Sequence, residues 1–328
     1  MRETNSLLLA CLGLALAPVA AQAVIVYGDP TATGDVPANH RNLSAPTGTY
    51  ANSGWQYEVT FGSGSNAYTG TAIAPNYFIT AKHVAPGAGT LVTMRNGESH
   101  QVVSGQQIGS TDLWVSKIDG SFSASASLYR EAIDGSLTNK ALVVYGRGVA
   151  PGAAVTTGSV KNGWQWGEVD GAMSWGTNQV DGKTLLTVGP SQGLTLRFSA
   201  SDTAGITEGT VVDKDSGGGV FVQGALGEWK LAGVNWAVGP IGFNTSASAT
   251  GSYNAAIFNT SNLFSPNAGG TWVASSSLTT SHLQDSYVSS ISDNYSQIIQ
   301  AIPEPSTLLL ATAASLFLTA RRRRKLSK

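Results

Sequence analysis

Cysteine is nearly absent: the 328 residues hold a single copy, Cys11. A lone thiol excludes an intramolecular disulfide framework, so stability has to come from a hydrophobic core. Charge is scarce too, with Asp, Glu, Lys and Arg together at 12%, and the basic cluster Arg321-Arg-Arg-Arg-Lys325 lies at the far end. With no such cluster in the body, nucleic acid is not an expected partner. Histidine is limited to His40, His83, His100 and His282. No grouping of His, Cys, Asp and Glu has metal-ligand spacing, and no complete Gly-x-x-x-x-Gly-Lys-Ser/Thr phosphate loop occurs. The expectation is therefore no metal cluster, no cofactor and no nucleotide, with calcium on loops left open. Gly, Ser, Thr, Ala and Asn are abundant instead, which suits short strands joined by many turns.

Both ends read as processed. Arg2 precedes the apolar run from Leu7 to Ala20, which closes on Ala21-Gln22-Ala23. A basic start, a hydrophobic centre and an Ala-x-Ala exit predict a secretory signal over residues 1–23, cut by signal peptidase; the mature chain then begins near Val24 and Cys11 is discarded. At the other end Ile302-Pro-Glu-Pro-Ser306 leads into apolar Thr307 to Ala320 and then the arginine cluster. As a helix that run rises only about 20 Å, marginal for a permanent membrane span, and its basic end belongs on the cytoplasmic side. This order closely resembles the PEP-CTERM sorting tail of Gram-negative bacteria that make exopolysaccharide. The resemblance implies an exosortase-type processing enzyme acting on residues 302–328. It also implies export across the inner membrane, a final place at the cell surface or in the extracellular matrix, and membrane contact only through the tail.

Between Val24 and Ala301, twelve Lys or Arg stand against eighteen Asp or Glu, so the mature body is acidic although the full chain is near neutral. No linker interrupts it before Phe264, where Ser265-Pro-Asn-Ala-Gly-Gly270 reads as a break. Leu283, Tyr287, Ile291, Tyr295 and Ile298 then recur every three or four residues, which predicts an amphipathic helix within a linker over 265–301, either packed on the body or acting as a stalk.

The body is organised around Val211-Val-Asp-Lys-Asp-Ser-Gly-Gly-Gly-Val-Phe221. Three glycines after Ser216 allow a sharp turn that leaves the hydroxyl clear of side chains. A serine nucleophile needs a histidine base and a carboxylate to orient that base. Gly70-Thr-Ala-Ile73 and Phe78-Ile-Thr-Ala-Lys-His83 offer the base, and Ile108-Gly-Ser-Thr-Asp-Leu-Trp-Val-Ser-Lys-Ile118 offers Asp112 at the head of an apolar run. Asp119 is the alternative acid, although it precedes Gly120 as a turn residue does. His40, His100 and His282 have no comparable setting and read as surface residues. In this order the three segments resemble those of the chymotrypsin/trypsin-like serine proteases, with Lys214 where that family has glycine and Lys82 where it has alanine. The resemblance spans roughly residues 25–262. It implies an all-β protease domain over 24–264, built as two six-stranded antiparallel barrels with a C-terminal helical extension and the active site in the cleft between barrels.

The same resemblance assigns further positions. His83, Asp112 and Ser216 form the catalytic triad, and the backbone amides of Lys214 and Ser216 form the oxyanion hole. Trp229-Lys-Leu-Ala-Gly-Val-Asn-Trp-Ala237 is similar to the strand that holds an extended substrate, which places Asn235, Trp236 and Ala237 against a peptide backbone. Thr210, six before the nucleophile, falls at the base of the primary pocket, and its neutral side chain argues against a strict Lys/Arg preference. Gly251-Ser-Tyr253 resembles the segment that closes that pocket. Ile25 to Gly28 is similar to the family's mature start, whose freed α-amino group pairs with the aspartate before the nucleophile; that makes Ile25 and Asp215 the activation ion pair. Cleavage after Ala23 leaves Val24 as one extra residue, and a plain apolar first strand is the other reading. Gly146-Arg-Gly148 reads as a turn. The implied function is a secreted serine endopeptidase acting on protein or peptide substrates. The alternatives are an esterase using the same triad and a catalytically weak trypsin-fold binding or structural protein of the matrix.

Overall fold

The computed structural model describes residues 24–28, 40–199, 207–239, 242–248, 251–267, 269–275 and 284–302. The signal sequence, the sorting tail with its apolar run, His282 and Leu283 lie outside these. Among the described residues no helix is long and apolar enough to cross a membrane.

A two-residue strand, β1 (Ile25–Val26), comes first among the described residues. Six strands follow: β2 (Glu58–Phe61), β3 (Tyr68–Ala74), β4 (Tyr77–Ala81), β5 (Leu91–Met94), β6 (Ser99–Gln107) and β7 (Leu113–Ile118). They close into a barrel in the order β2-β3-β4-β7-β6-β5. Alternation along each strand fills its interior with Val59, Phe61, Ala72, Phe78, Val92, Met94, Val102 and Ile118. Each large apolar side chain buried this way contributes about 1.5–3 kcal/mol, which stands in for the missing disulfides. A turn at Pro75-Asn76 joins β3 to β4.

A single helical turn, α1 (Glu131–Asp134), leads into the second half. Its strands are β8 (Ala141–Gly146), β9 (Val149–Thr157), β10 (Val160–Val169), β11 (Ser174–Gln179), β12 (Gly182–Val188), β13 (Ser191–Ser199), β14 (Gly209–Thr210), β15 (Gly219–Gln223), β16 (Trp229–Gly239), β17 (Gly242–Phe243), β18 (Tyr253–Ile257), β19 (Phe264–Pro266), β20 (Trp272–Ala274) and β21 (Asp285–Ser290). Helix α2 (Ile291–Ala301) follows directly. Seven of the strands form one sheet in the order β11-β8-β15-β16-β21-β13-β12, while β17-β18-β10-β9 form a second. Val144, Phe198, Val220, Val222, Ala232 and Val288 pack the concave side of the large sheet.

The protein is thus all-β with a closed six-stranded barrel and a short C-terminal helix, as the sequence implies. The second barrel differs from the expected closed six-stranded one. Asn178 Nδ2 on β11 donates to Ser199 O on β13 at 3.0 Å, so six strands curl until their edges meet through a side chain instead of a ladder. Strand β12 then extends the sheet as a seventh strand.

Residues beyond 264 also depart from expectation. Ser265 to Gly270 is no interdomain break: β19 and β20 pair across it as a hairpin, with Ser265 opposite Val273. Nor does the helix begin near Leu283. Residues 285–290 are a strand set between β16 and β13, pairing Val288 with Asn235 on one side and with Leu196 on the other. The apolar spacing of three or four straddles a strand-helix junction, and Ser290 starts the helix by accepting the Asp293 N–H with its side chain. Ile291, Ile298 and Ala301 are buried in the same core as Tyr77 and Val115. The segment 285–302 therefore belongs to the body and is not a linker.

Candidate active site

Ser216 lies on the turn between β14 and β15, and close packing there explains its three glycines. A Cβ on Gly217 would come 2.2 Å from Thr69 O, one on Gly218 2.0 Å from Tyr145 O, and one on Gly219 2.6 Å from Glu58 Oε1. Gly217 also has φ +89°, a left-handed conformation glycine adopts at no steric cost. The turn is held from behind by Asn235 on β16. Its Nδ2 donates to Tyr145 O at 2.7 Å and to Asp215 O at 3.1 Å, while its backbone N–H reaches Gly218 O at 2.9 Å.

His83 sits in a 3-10 turn, Lys82–Val84, at the end of β4. Pairing of Ala81 with Leu113 sets that turn beside Asp112, the residue before β7. The Asp112 carboxylate accepts the His83 backbone N–H at 3.1 Å through Oδ1, and its Oδ2 lies 2.6 Å from His83 Nδ1. On the other side of the ring, His83 Nε2 is 2.8 Å from Ser216 Oγ. The Asp112 side chain is 1% exposed and that of His83 42%, so the acid is shielded while the imidazole is open to solvent. These three residues come together across both halves of the molecule. Asp119 does not join them: it accepts the Gln101 N–H at 2.9 Å. Nor are the other described histidines free surface groups. His40 stacks on Trp164 with ring centroids 3.7 Å apart, and burial lowers its pKa. His100 lies 2.9 Å from Glu98 Oε1, a contact that holds the Glu98 carboxyl down at about 2.

Lys214 has φ +70°, a region that costs a non-glycine residue about 1–2 kcal/mol. Among the described residues neither its backbone N–H nor that of Ser216 donates to a protein acceptor. Its Nζ lies 3.3 Å from Tyr68 OH and 5.7 Å from the centre of the Tyr68 ring.

Asp215 is fully buried. Its carboxylate accepts N–H groups from Val212 at 2.8 Å, Gly148 at 2.8 Å and Val24 at 3.3 Å. Burial outweighs these three donors and pushes its carboxyl up to about 7. The expected partner Ile25 is corrected here. Ile25 is engaged in the β1–β14 ladder opposite Thr210, and the nitrogen that meets Asp215 belongs to the residue before it, Val24. Gly146-Arg-Gly148 is more than a turn, because a Cβ at Gly146 or Gly148 would lie 2.1 or 2.7 Å from Asp215 Oδ1.

Thr210 is buried, and its Oγ1 lies 3.1 Å from Ser286 Oγ, which also accepts the Val211 N–H at 3.1 Å. Strand β21 rather than Gly251-Ser-Tyr253 therefore flanks this position; Tyr253 lies on β18 in the other sheet. Asn235 is fully buried and Trp236 6% exposed. In the β15–β16 register Gly219 faces Val234, and just beyond it Asn235 takes both Gly217 N–H and Gly218 O, which ends the ladder before Ala237. There β15 has ended, and the β15-facing edge at Ala237 is open to an added strand.

Two participants escaped the sequence reading. Ser286 lies in a run too polar to show strand alternation. Glu58 is buried behind the nucleophile turn, where it accepts hydrogen bonds from Thr71 Oγ1 at 2.7 Å, Thr69 Oγ1 at 3.0 Å and the Gly219 N–H. Its burial pushes the carboxyl up to about 8. An acidic residue in the otherwise apolar and threonine-bearing strand Glu58-Val-Thr-Phe61 was the available signal.

Comparison with known proteins gives three findings. Residues 301–324 match the family model described as the PEP-CTERM protein-sorting motif. No curated protein matches the chain. Among solved structures it is similar to neuropsin, a serine protease expressed in the limbic system of mouse brain, at 10% identity and a TM-score of 0.47, over 77% of this chain and 96% of that one.

Proposed function

We propose that this protein is a secreted serine endopeptidase, with Ser216 as nucleophile, His83 as general base and Asp112 as the group that orients the imidazole. The observation that carries the reading is the unbroken relay Asp112 Oδ2 to His83 Nδ1 at 2.6 Å and His83 Nε2 to Ser216 Oγ at 2.8 Å. Ser216 Oγ attacks a peptide carbonyl while its proton passes to His83 Nε2. The same proton then goes to the departing amine, and water attacks the acyl-enzyme through the same base. The unengaged N–H groups of Lys214 and Ser216 are the donors for the oxyanion. Asn235 positions the nucleophile turn, so the substrate backbone is left to Trp236 and Ala237. Thr210 and Ser286 give the primary pocket an uncharged, hydroxyl-lined floor.

The sorting motif indicates export and exosortase-dependent placement at the surface or outside a Gram-negative cell. Signal cleavage after Ala23 turns the Val24 amide nitrogen into the ammonium that pairs with Asp215. The test uses purified chain beginning at Val24, a fluorophosphonate probe and an uncharged fluorogenic peptide. Wild type takes up the probe and cleaves; Ser216→Ala does neither, and Asp112→Asn falls about 10⁴-fold in kcat. A folded wild-type protein that neither labels nor cleaves would refute the proposal.

A further inference from the structure

Lys214 is a cation placed beside the nucleophile with an unusual partner. Its Nζ spans to the first barrel and meets a neutral phenol, Tyr68 OH at 3.3 Å, beyond the hydroxyl end of the ring and 5.7 Å from its centre. Among the described residues no carboxylate lies within ion-pair distance of it. The neighbouring Asp213 is exposed and uses its carbonyl on the Val149 N–H. On the backbone side of Tyr68 a second cation, Arg147, donates to Phe61 O at 3.1 Å and Tyr68 O at 3.3 Å, and to Gly171 O. Asp170 influences Arg147 through space without an ion-pair contact. Two positive charges thus converge on the start of β3.

The direction of a bound peptide decides what they would meet. The open edge of β16 at Ala237 lies two residues past Asn235, the side chain that holds the nucleophile turn, so the acyl part of an extended substrate runs along the second half of the molecule. The turn itself rests on β3, where Gly217 packs on Thr69 O. The residues that follow the scissile bond therefore leave over Tyr68 and the Lys214 ammonium.

We infer that Lys214 and Tyr68 form a recognition site for acidic side chains on the leaving-group side of the cleaved bond. The substrate class is then peptides carrying Glu or Asp just after the scissile position. This inference rests on the endopeptidase reading. It also gives the lysine at a left-handed position a purpose that glycine cannot serve, since glycine would remove the strain and the charge together.

The experiment compares matched peptides that differ only in the first two residues after the scissile bond: Glu-Glu, Gln-Gln or Lys-Lys. It reads kcat/KM ratios within each of wild type, Lys214→Met and Lys214→Glu. A ratio within one variant cancels any general loss caused by disturbing the turn. Wild type should favour Glu-Glu over Gln-Gln by about five-fold, the scale of a partly exposed ion pair, and the preference should shrink with added salt. Lys214→Met should bring the ratio to about one, and Lys214→Glu should invert it in favour of Lys-Lys. Cleavage of Gln-Gln with the same charge ratios in all three proteins overturns this inference and leaves the protease intact. If wild type cleaves none of the three, the protease reading fails and takes this inference with it.

Discussion

Freeing the Val24 nitrogen should change how stability depends on pH. In the continuous chain Asp215 is buried against three amide N–H donors, and its carboxyl is pushed up to about 7 from an ordinary 3.8. A raised acid in the folded state means the folded chain keeps a proton that the unfolded chain releases. Stability is therefore unaffected below about pH 4, falls as pH rises toward 7, and is flat again above. The window is roughly three pKa units, and each is worth about 1.36 kcal/mol, so the full loss is about 4 kcal/mol. Replacing the amide by an ammonium supplies an opposite charge about 3 Å from Oδ1, which lowers the carboxyl and closes most of that window. Glu58 falls away in the same direction up to about pH 8, and buried Arg41 stays charged across the whole range. Both are common to the two forms, so the difference between the forms isolates Asp215. Urea unfolding from pH 4 to 8 should be run on chain beginning at Val24 and on chain retaining Ala21-Gln22-Ala23. The retained form should lose about 3–4 kcal/mol more between pH 4 and 7, and its kcat/KM should be about 10²-fold lower because the oxyanion turn is less well ordered. Equal pH slopes and equal activity in the two forms would refute the reasoning.

Three other outcomes follow from the same geometry. Glu58→Ala leaves the Gly219 N–H and the Thr71 hydroxyl without their acceptor, while Thr69 keeps Val59 O, and should cost about 1–3 kcal/mol in urea unfolding; Glu58→Gln, which preserves an uncharged acceptor, should cost less and flatten the stability curve between about pH 4.5 and 8. Lys214→Gly removes the left-handed strain and should raise the unfolding free energy by about 1 kcal/mol, measured in the same way. A chain ending at residue 275 loses the strand between β16 and β13 and should show no cooperative thermal transition, whereas one ending at Ile302 should unfold like the full chain from Val24.

What the sequence made legible is local. Ser216, His83 and Asp112 each sit in a short motif whose neighbours are adjacent in the chain. What stayed hidden depends on pairing between distant segments. β21 carries only one buried aliphatic residue, Val288, so nothing local separates Asp285-Ser-Tyr-Val-Ser-Ser290 from a polar linker; its place is decided by vacant ladders on β16 and β13. The same limit moved the pocket-flanking strand some thirty positions along the chain, from near Tyr253 to near Ser286. It also set the Asp215 contact one residue away from Ile25, because which nitrogen reaches a buried carboxylate depends on how β1 registers against β14. Glu58 was overlooked for a related reason: an acid in a strand reads as solvent-facing until a second barrel covers it.

Burial of Ile298 and Ala301 beneath the molecular surface leaves no stalk before the sorting signal, whose match begins at residue 301. From Ile302 to Thr307 the polypeptide reaches at most about 18 Å when fully stretched. A processing enzyme acting on that stretch would therefore have to work within that distance of the folded body, on the side where Gln297 and Gln300 lie beside Gln107.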